Sequence, residues 1–555
     1  MDVARQTQRW LEGPHRGAIV TGIATGLALA GVGILVRAGW LVAATGLVGV
    51  TGMAVACVLG LAAIRGLLSG STGIAGVARA VIDEAVRMRA ALALLVLLML
   101  LIPTLPLVLD HDERLEYRVQ FLLAWALGGT GLILSLLTIF LACGSICGDI
   151  ESSRIHTTLA KPLNRWEYLV GKWLGIVLFN LLLVVLAGAG TATFVRVLAR
   201  TQATDQADRD AVDHQVLTAR TPVAPEHDKP EAYQAAIDAA IRRLEEDDPD
   251  GFARNPAAAR RRIRREYDWE WHTVTPDMVS TFVFSGLAAA KDAPTVQLQL
   301  KPRVNNVDID LADVRFALWL NGRPWPMVEG VHQDQTLPSL AVSVLDLPTE
   351  SIDETGTLKI TVANRNLVPA GETRATAITL PPGDGLRLLY RTGGFEANLI
   401  RCLAVTWCKL ALVAAAGVAA AAMLGFPTAV LLSLVIYAGA LGSGFLRDAL
   451  GEYNVNADSF LAAVLERLRA AGELALEFRF YEAGRMLFGF VTDLVLRVLP
   501  AFGEYDAIGS LATGIEVPGR AVLACCVTIG LAYPLLLGLG SWLVFDRRDL
   551  VRPNT

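Results

Sequence analysis

The chain reads as an α-helical polytopic membrane protein of about eight transmembrane helices, with a large extracytoplasmic α+β insert containing a β-sandwich-like part. Three observations predict this. Of 555 residues, 53% are hydrophobic and mean hydropathy is +0.46, beyond the usual apolar share of a soluble domain. Several uncharged runs reach the ~20 residues that a helix needs to cross hydrocarbon. Between residues 198 and 400 the composition turns polar, then alternates between apolar and polar positions, the period of half-buried strands.

Spans are expected at about 17–36, 39–64, 90–109, 119–143, 173–196, 402–424, 426–446 and 520–545. The opening "MDVARQTQRWLEGPHRG" is basic and short, and the apolar run of about 20 residues after it has no small-residue cleavage site, so that run is expected to be retained rather than removed as a signal peptide. An even number of spans puts both termini on one side. Arg5, Arg9 and Arg16, then Arg65, Arg79, Arg87 and Arg89, then Arg547, Arg548 and Arg552 all fall there, and the excess of positive charge marks it as cytoplasmic. The expected location is the inner or plasma membrane. A Gly22–Gly26 small-residue pair in the first span is a helix-packing pattern.

The organisation that follows is an extra helix pair at 1–70, then a helix, two spans, a cytoplasmic segment and a third span at 71–197. The extracytoplasmic domain occupies 198–400, and two spans occupy 401–446. Amphipathic or re-entrant helices come at 447–519, and a last span with its tail at 520–555. In the insert, charge and alanine to about residue 270 predict surface helices. After that, "TFVFSGL", "TVQLQLKP", "VRFALWLNG", "LAVSVLDLP", "TLKITVANRN" and "TAITLPPGDGLRLLYR" predict short strands between Gly, Pro, Asn and Asp turns. Between 447 and 519, Phe460, Val464, Leu465 and Leu468 share a helix face, and Asp493, Arg497 and Pro500 interrupt the later apolar run, so interfacial helices fit better than a crossing. Before the third span, Val77, Val81, Ala85 and Met88 form a stripe opposite Arg79, Asp83 and Arg87, the pattern of an interfacial helix.

Several chemistries are disfavoured. Cys57, Cys143, Cys147, Cys402, Cys408, Cys525 and Cys526 all lie in or beside apolar runs, which excludes a disulfide framework in the insert. Cys143 and Cys147 have no second pair at metal spacing, so no metal site is expected. His15, His111, His156, His214, His227, His272 and His332 form no zincin pattern, no G-x-S-x-G occurs, and the chain is not expected to be an enzyme. Ion-coupled transport would place relay charges within the spans. Lys409 is the exception and is expected to snorkel to the outer interface. The run Arg260–Arg265 is flanked by Glu266, Asp268 and Glu270 and reads as a salt-bridged helix face, not a nucleic-acid site. Trp319 and Trp325 are expected in core or loop packing.

One stretch does not fit a plain loop. "CGSICGDIESSRIHTTLAKPLNRWEYLVGKWLG", Cys143–Gly175, carries both charge signs and a proline between two spans. Its residues "DIESSRIHTTLAKPLNRWEYLVGKWLG" resemble the signature of ABC-2 type transporter permeases. The C-terminal "VLPAFGEYDAIGSLATGIEVPGRAV" with "FDRRDL" resembles that family's closing region, in the branch associated with multi-copper enzyme maturation. The scattered methionines give no copper site.

The resemblance implies an elbow helix at Val77–Arg89 and a coupling segment at Asp149–Lys172. The ATPase-coupling interface would comprise Asp149, Glu151, Arg154, Pro162, Arg165, Gly171 and Lys172. It implies a cytoplasmic ABC ATPase subunit, a second permease copy or paralogue, and membrane lipid as partners. No G-x-x-x-x-G-K-[ST] occurs, because Gly171 and Lys172 precede Trp173, so ATP belongs to the partner and the chain carries no cofactor. The expected function is export of an unidentified substrate. The alternative is a membrane-anchored extracytoplasmic binding or scaffold protein. The N-terminal helix pair and the large insert depart from the family's six-span core.

Overall fold

A computed structural model describes residues 41–70, 72–108, 114–152, 164–304 apart from 255, 277, 292, 294 and 295, then 313–366, 376–450 and 500–547. The expected span at 17–36, the Gly22–Gly26 pattern, Arg154, Pro162 and the stretch 451–499 lie outside them. Contacts divide the chain into two units. One contains the chain up to Thr218, Gly394–Gly444 and the residues from Leu499 onward, and the other contains Ala219–Gly393.

The helices in chain order are α1 (Leu41–Leu67), α2 (Gly73–Ala85), α3 (Arg89–Val108), α4 (Leu115–Glu151), α5 (Arg165–Ala199), α6 (Gln206–Ala211), α7 (Pro230–Asp247), α8 (Pro249–Arg254), α9 (Pro256–Trp271), α10 (Phe395–Met423), α11 (Phe426–Leu450), α12 (Ala507–Ala512), α13 (Gly519–Val527) and α14 (Tyr533–Arg547). Among the described residues, six helical stretches are long and apolar enough to cross a membrane. They are Gly46–Leu67, Leu115–Glu151, Arg165–Ala199, Phe395–Met423, Phe426–Gly444 and Gly519–Arg547. The short α2 and the apolar α3 meet at a bend of 73°. With α3 these stretches coincide with the seven expected spans that the structure describes. The last one is interrupted by a π turn at Thr528–Ala532, just before Pro534, whose ring nitrogen cannot donate to the carbonyl four residues back.

The helical unit is built on the antiparallel pair α4 and α5. At 37 and 35 residues and ~1.5 Å rise per residue, both outreach the ~30 Å hydrocarbon layer. Buried Asn180 donates from Nδ2 to Thr138 Oγ1 at 2.8 Å between them. α10 packs against α4 so closely that a Cβ on Gly417 would stand 2.7 Å from that of Ala142. Cys143 and Cys147 are buried small side chains, with their thiols near Gly417 O and Leu424 O.

In the other unit, strands form where alternation predicts them. A four-stranded sheet runs in the order Thr218–Val223, Leu386–Gly394, Val296–Leu300, Ser343–Leu347. A larger sheet contains, in order, Gln335–Pro338, Asp313–Leu320, Leu358–Asn364, Val279–Phe284 and Glu226–His227. Phe282, Phe284, Leu298, Leu318, Ile360 and Leu388 join one core, as expected for sheets sharing an apolar face. Val296–Leu300 is buried on both faces. Its Gln297 spends its amide by accepting from Arg220 at 2.6 Å and donating to Asp346 at 3.0 Å. Trp325 packs on the core and Trp319 meets His332 edge-on. The Arg260–Arg265 run lies on α9 with Ile263 buried and Arg260 over the Phe252 ring.

The end of α4 that begins at Leu115 is capped from a distance. Fully buried Asp208, on α6, accepts from the backbone N–H groups of Leu115 at 2.8 Å and Glu116 at 3.0 Å, and from Thr204 at 3.0 Å. Arg114 Nε lies 3.9 Å away. Burial pushes the carboxyl up, but the three amides and the Arg114 charge outweigh it and hold Asp208 below the usual carboxylate range. A group whose folded pKa is depressed gives stability that is present above its unfolded pKa and is lost as pH falls through the folded one. Replacing Asp208 with Asn is expected to cost about 1–2 kcal/mol at neutral pH. Thermal unfolding in detergent should show that deficit undiminished above pH ~4 and shrinking as the medium is acidified below it.

Candidate functional site

The apolar spacing of α2 buries Val77, Ala78, Val81, Ile82 and Ala85, and Thr72 caps its start. The helix lies on the first turns of α5, where two glycines make room. A Cβ on Gly171 would stand 2.7 Å from Val77 Cβ, and one on Gly175 would stand 2.7 Å from Ala78 O. Both distances are shorter than non-bonded atoms tolerate, so glycine spacing of i, i+4 decides how near the two helices come. On the outer side of α2, Asp83 pairs with Arg65 of α1 at 2.7 Å.

Between the two glycine-lined turns sits a buried cation. The Lys172 side chain is 3% exposed, and its Nζ lies 2.8 Å from Asp149 Oδ2 of α4 and 3.4 Å from Glu84 Oε2 of α2. It also donates to Ser145 O at 3.0 Å. Tyr168, one turn earlier on α5, donates from its hydroxyl to the same Asp149 oxygen at 2.8 Å and offers its ring face to the ammonium at 5.6 Å. An ammonium withdrawn from water costs several kcal/mol unless carboxylates and acceptors replace its hydration. Here one lysine satisfies that requirement only by holding α2, α4 and α5 together.

The first residue of α5 reaches a fourth helix. Arg165 Nη1 donates to Phe545 O at 2.8 Å and Asp546 O at 2.9 Å, so a guanidinium supplies donors to carbonyls in the last described turn of α14. Tyr168 stacks over Phe545 at 6.2 Å. Glu167 Oε2 accepts from Asn164 N at 2.9 Å, which fixes where α5 starts.

The residues expected to meet a partner thus fall into separate places. Asp149, Gly171 and Lys172 are internal and position helices, and Arg165 is half-buried against α14. Glu151 is exposed at the end of α4. Arg154 and Pro162 lie outside the described residues. Sequence reasoning missed Glu84, Ser145 and Tyr168. The visible signal was that Ser145 and Asp149, like Tyr168 and Lys172, are i, i+4 polar pairs in otherwise apolar runs.

A second polar feature lies in the same unit. A cavity of about 460 Å³ is lined by residues that include Gly128, Ser135, Lys409, Tyr437, Phe502 and Asp506. Lys409, expected to snorkel to the outer interface, is one of these lining residues. Its Nζ donates to Tyr505 O at 2.9 Å and lies 5.4 Å from the Phe502 ring centre. Among the described residues, no group of three or more His, Cys, Asp or Glu is placed to hold a metal ion.

Residues 129–208 match the family described as ABC-2 family transporter protein. The matched stretch takes in most of α4, the 152–164 connection, all of α5 and the start of α6. It supports the resemblance to ABC-2 type permeases. No curated protein and no solved structure matches the chain.

The glycine surface gives a direct test. Gly175→Ala must push the α2 backbone away and is expected to destabilise by about 1–3 kcal/mol, despite alanine's better helix propensity. Gly76→Ala on the open face of α2, where an added Cβ meets nothing within 4 Å, is expected to be neutral or to stabilise by up to ~1 kcal/mol. Paired unfolding curves measure both, and equal effects would contradict the close packing.

Proposed function

We propose that this ABC-2 type membrane chain is the permease subunit of an ATP-binding cassette exporter, driven by ATP that a separate cytoplasmic ATPase subunit hydrolyses. The observation that carries the reading is the family match over α4, α5 and the connection between them. It is joined to an interfacial helix, α2, that is ion-paired to both through Lys172. On this reading the 152–164 connection is the docking segment and Glu151 is its exposed flank. Asp149, Lys172, Gly171 and Arg165 act behind it by passing displacement to α2 and α14. Two permease copies with two ATPases, both termini in the cytoplasm and the sheet-rich unit outside complete the proposal.

Interfaces and packed cores switch between discrete arrangements rather than deforming continuously, so closure of the ATPases would shift α4 and α5 as rods. The chain itself would hydrolyse no ATP and hold no cofactor. A second reading, a membrane-anchored binding or scaffold protein, draws on Met327, Val328 and Val331, which the sheet-rich unit leaves exposed. It gives the α2–α4–α5 lock no task.

Charge reversal at the exposed flank separates the two. With the complete chain co-expressed with its Walker-A ATPase, Glu151→Lys is expected to weaken co-purification by at least ~10-fold, which is ~1.4 kcal/mol. Stimulated ATP turnover should fall while gel filtration stays unchanged. Reversal at exposed Glu246 of α7 should have no effect. Undiminished capture and turnover in Glu151→Lys would remove the docking assignment.

A further inference from the structure

The cavity beside Lys409 carries charge of both signs, and neither the Lys172 lock nor the proposed docking segment uses it. Its walls come from α4, α10, α11 and the turn at Phe502–Asp506 that leads into α12. The Lys409 ammonium has three N–H donors, and its one hydrogen bond goes to Tyr505 O at 2.9 Å. The Phe502 ring centre lies 5.4 Å from Nζ, and among the described residues no carboxylate forms an ion pair with it. Asp506 is exposed and accepts from Gly509 N at 3.0 Å through Oδ1. Among the described residues its other oxygen has no hydrogen-bond partner. The hydroxyls in the wall are engaged within their own helices, Ser135 donating to Gly131 O at 2.7 Å and Thr406 to Cys402 O at 3.0 Å. The remaining surface is apolar, with Leu132, Val405, Leu410 and Leu441 beside the Tyr437 and Phe502 rings.

We infer that this cavity binds a small zwitterion, a solute with one carboxylate, one ammonium and an apolar body, which is the chemistry of a short hydrophobic peptide. The carboxylate takes the remaining donors of Lys409, the ammonium takes the open Asp506 oxygen, and the leucines and rings cover the rest. Charge in the walls selects this occupant. A lipid tail or an apolar helix of a second copy would cover both ionised groups without replacing their hydration, at a large desolvation cost. A dianion such as a phosphate monoester would meet the Asp506 carboxylate as a like charge, and a plain cation would meet Lys409 in the same way. The volume of about 460 Å³ lies within the ~300–1,000 Å³ of pockets that enclose small molecules. A dipeptide fits it.

That the bound solute is the transported cargo rests on the proposed function, whereas the binding itself does not. On that reading the site communicates with the lock through α4, which carries Ser135 in the cavity wall and Asp149 in the ion cluster. A shift of α4 as a rod moves one wall of the cavity relative to Lys409 on α10.

The test uses the full chain alone, purified in detergent, with tritiated phenylalanyl-leucine as the probe. Its C-terminal amide and its N-acetyl derivative, each lacking one of the two charges, serve as competitors. The wild type is expected to bind one dipeptide per chain and to prefer it at least ~10-fold over each derivative. Gly131→Leu projects a side chain from a lining position where an added Cβ meets nothing within 4 Å. It should weaken dipeptide binding at least ~10-fold while keeping the wild-type elution volume. Lys409→Met should remove the preference over the amide, and Asp506→Asn, which keeps an oxygen for Gly509 N, the preference over the N-acetyl derivative. No dipeptide bound by the folded wild type, undiminished binding by folded Gly131→Leu, or unchanged preferences in both charge variants would overturn the assignment. So would displacement of the dipeptide by phosphatidylethanolamine at equal concentration, because a zwitterionic lipid headgroup would then be the occupant. No ATPase takes part, so a negative result would leave the transporter reading standing.

Discussion

A lysine that cannot reach water organises this end of the helical unit. Lys172 is almost fully enclosed, and its charge is tolerable only because Asp149, Glu84 and the Ser145 carbonyl surround it. Removing one side of such an arrangement strands the other in a low-dielectric interior. The partners come from two helices, α2 and α4, and the lysine from a third, so the electrostatic requirement becomes a geometric one. α2 must lie across the start of α5, and the end of α4 must stay beside it. The glycines at 171 and 175 are the steric half of the same requirement, since any side chain there would lift α2 and lengthen the Glu84 contact.

From this point the constraint spreads outward along stiff elements. One turn before the lysine, Arg165 and Tyr168 engage the end of α14. Further along, Asn180 and Thr138 tie α5 to α4, and at the opposite end of α4 the Asp208 carboxylate anchors its first amides. On the proposed reading, a force applied at the 152–164 connection acts on two long rods whose near ends are clasped to α2 and α14.

Much of the architecture was legible in the sequence because it follows from local periodicity. The apolar runs fell on every described span, with ends up to eight residues away from those of the helices, and the alternation in "TVQLQLKP" and "TLKITVANRN" marked strands that the structure pairs into sheets. The stripe at Val77, Val81 and Ala85 identified α2. What escaped was contact across long sequence separation. Nothing near Arg165 points to Phe545, and nothing near Leu115 points to Asp208, since a carboxylate or guanidinium can serve any orphaned backbone group within reach. Gly171 and Lys172 were singled out as contacts for a partner. A charged residue at the start of a span faces either water or neighbouring helices, and only packing decides which.

The central claim is that the Lys172 ion cluster holds α2 to α4 and α5. Hydrogen–deuterium exchange of backbone amides in Gly73–Ala85 tests it most directly, because local opening of α2 is read without unfolding the rest. Lys172→Met should speed exchange there by at least ~10-fold, equivalent to ~1.4 kcal/mol of opening free energy. Neutralising the stranded carboxylates as well, with Asp149→Asn and Glu84→Gln, should recover most of the protection. Wild-type protection of Gly73–Ala85 in the single Lys172→Met variant would contradict the account.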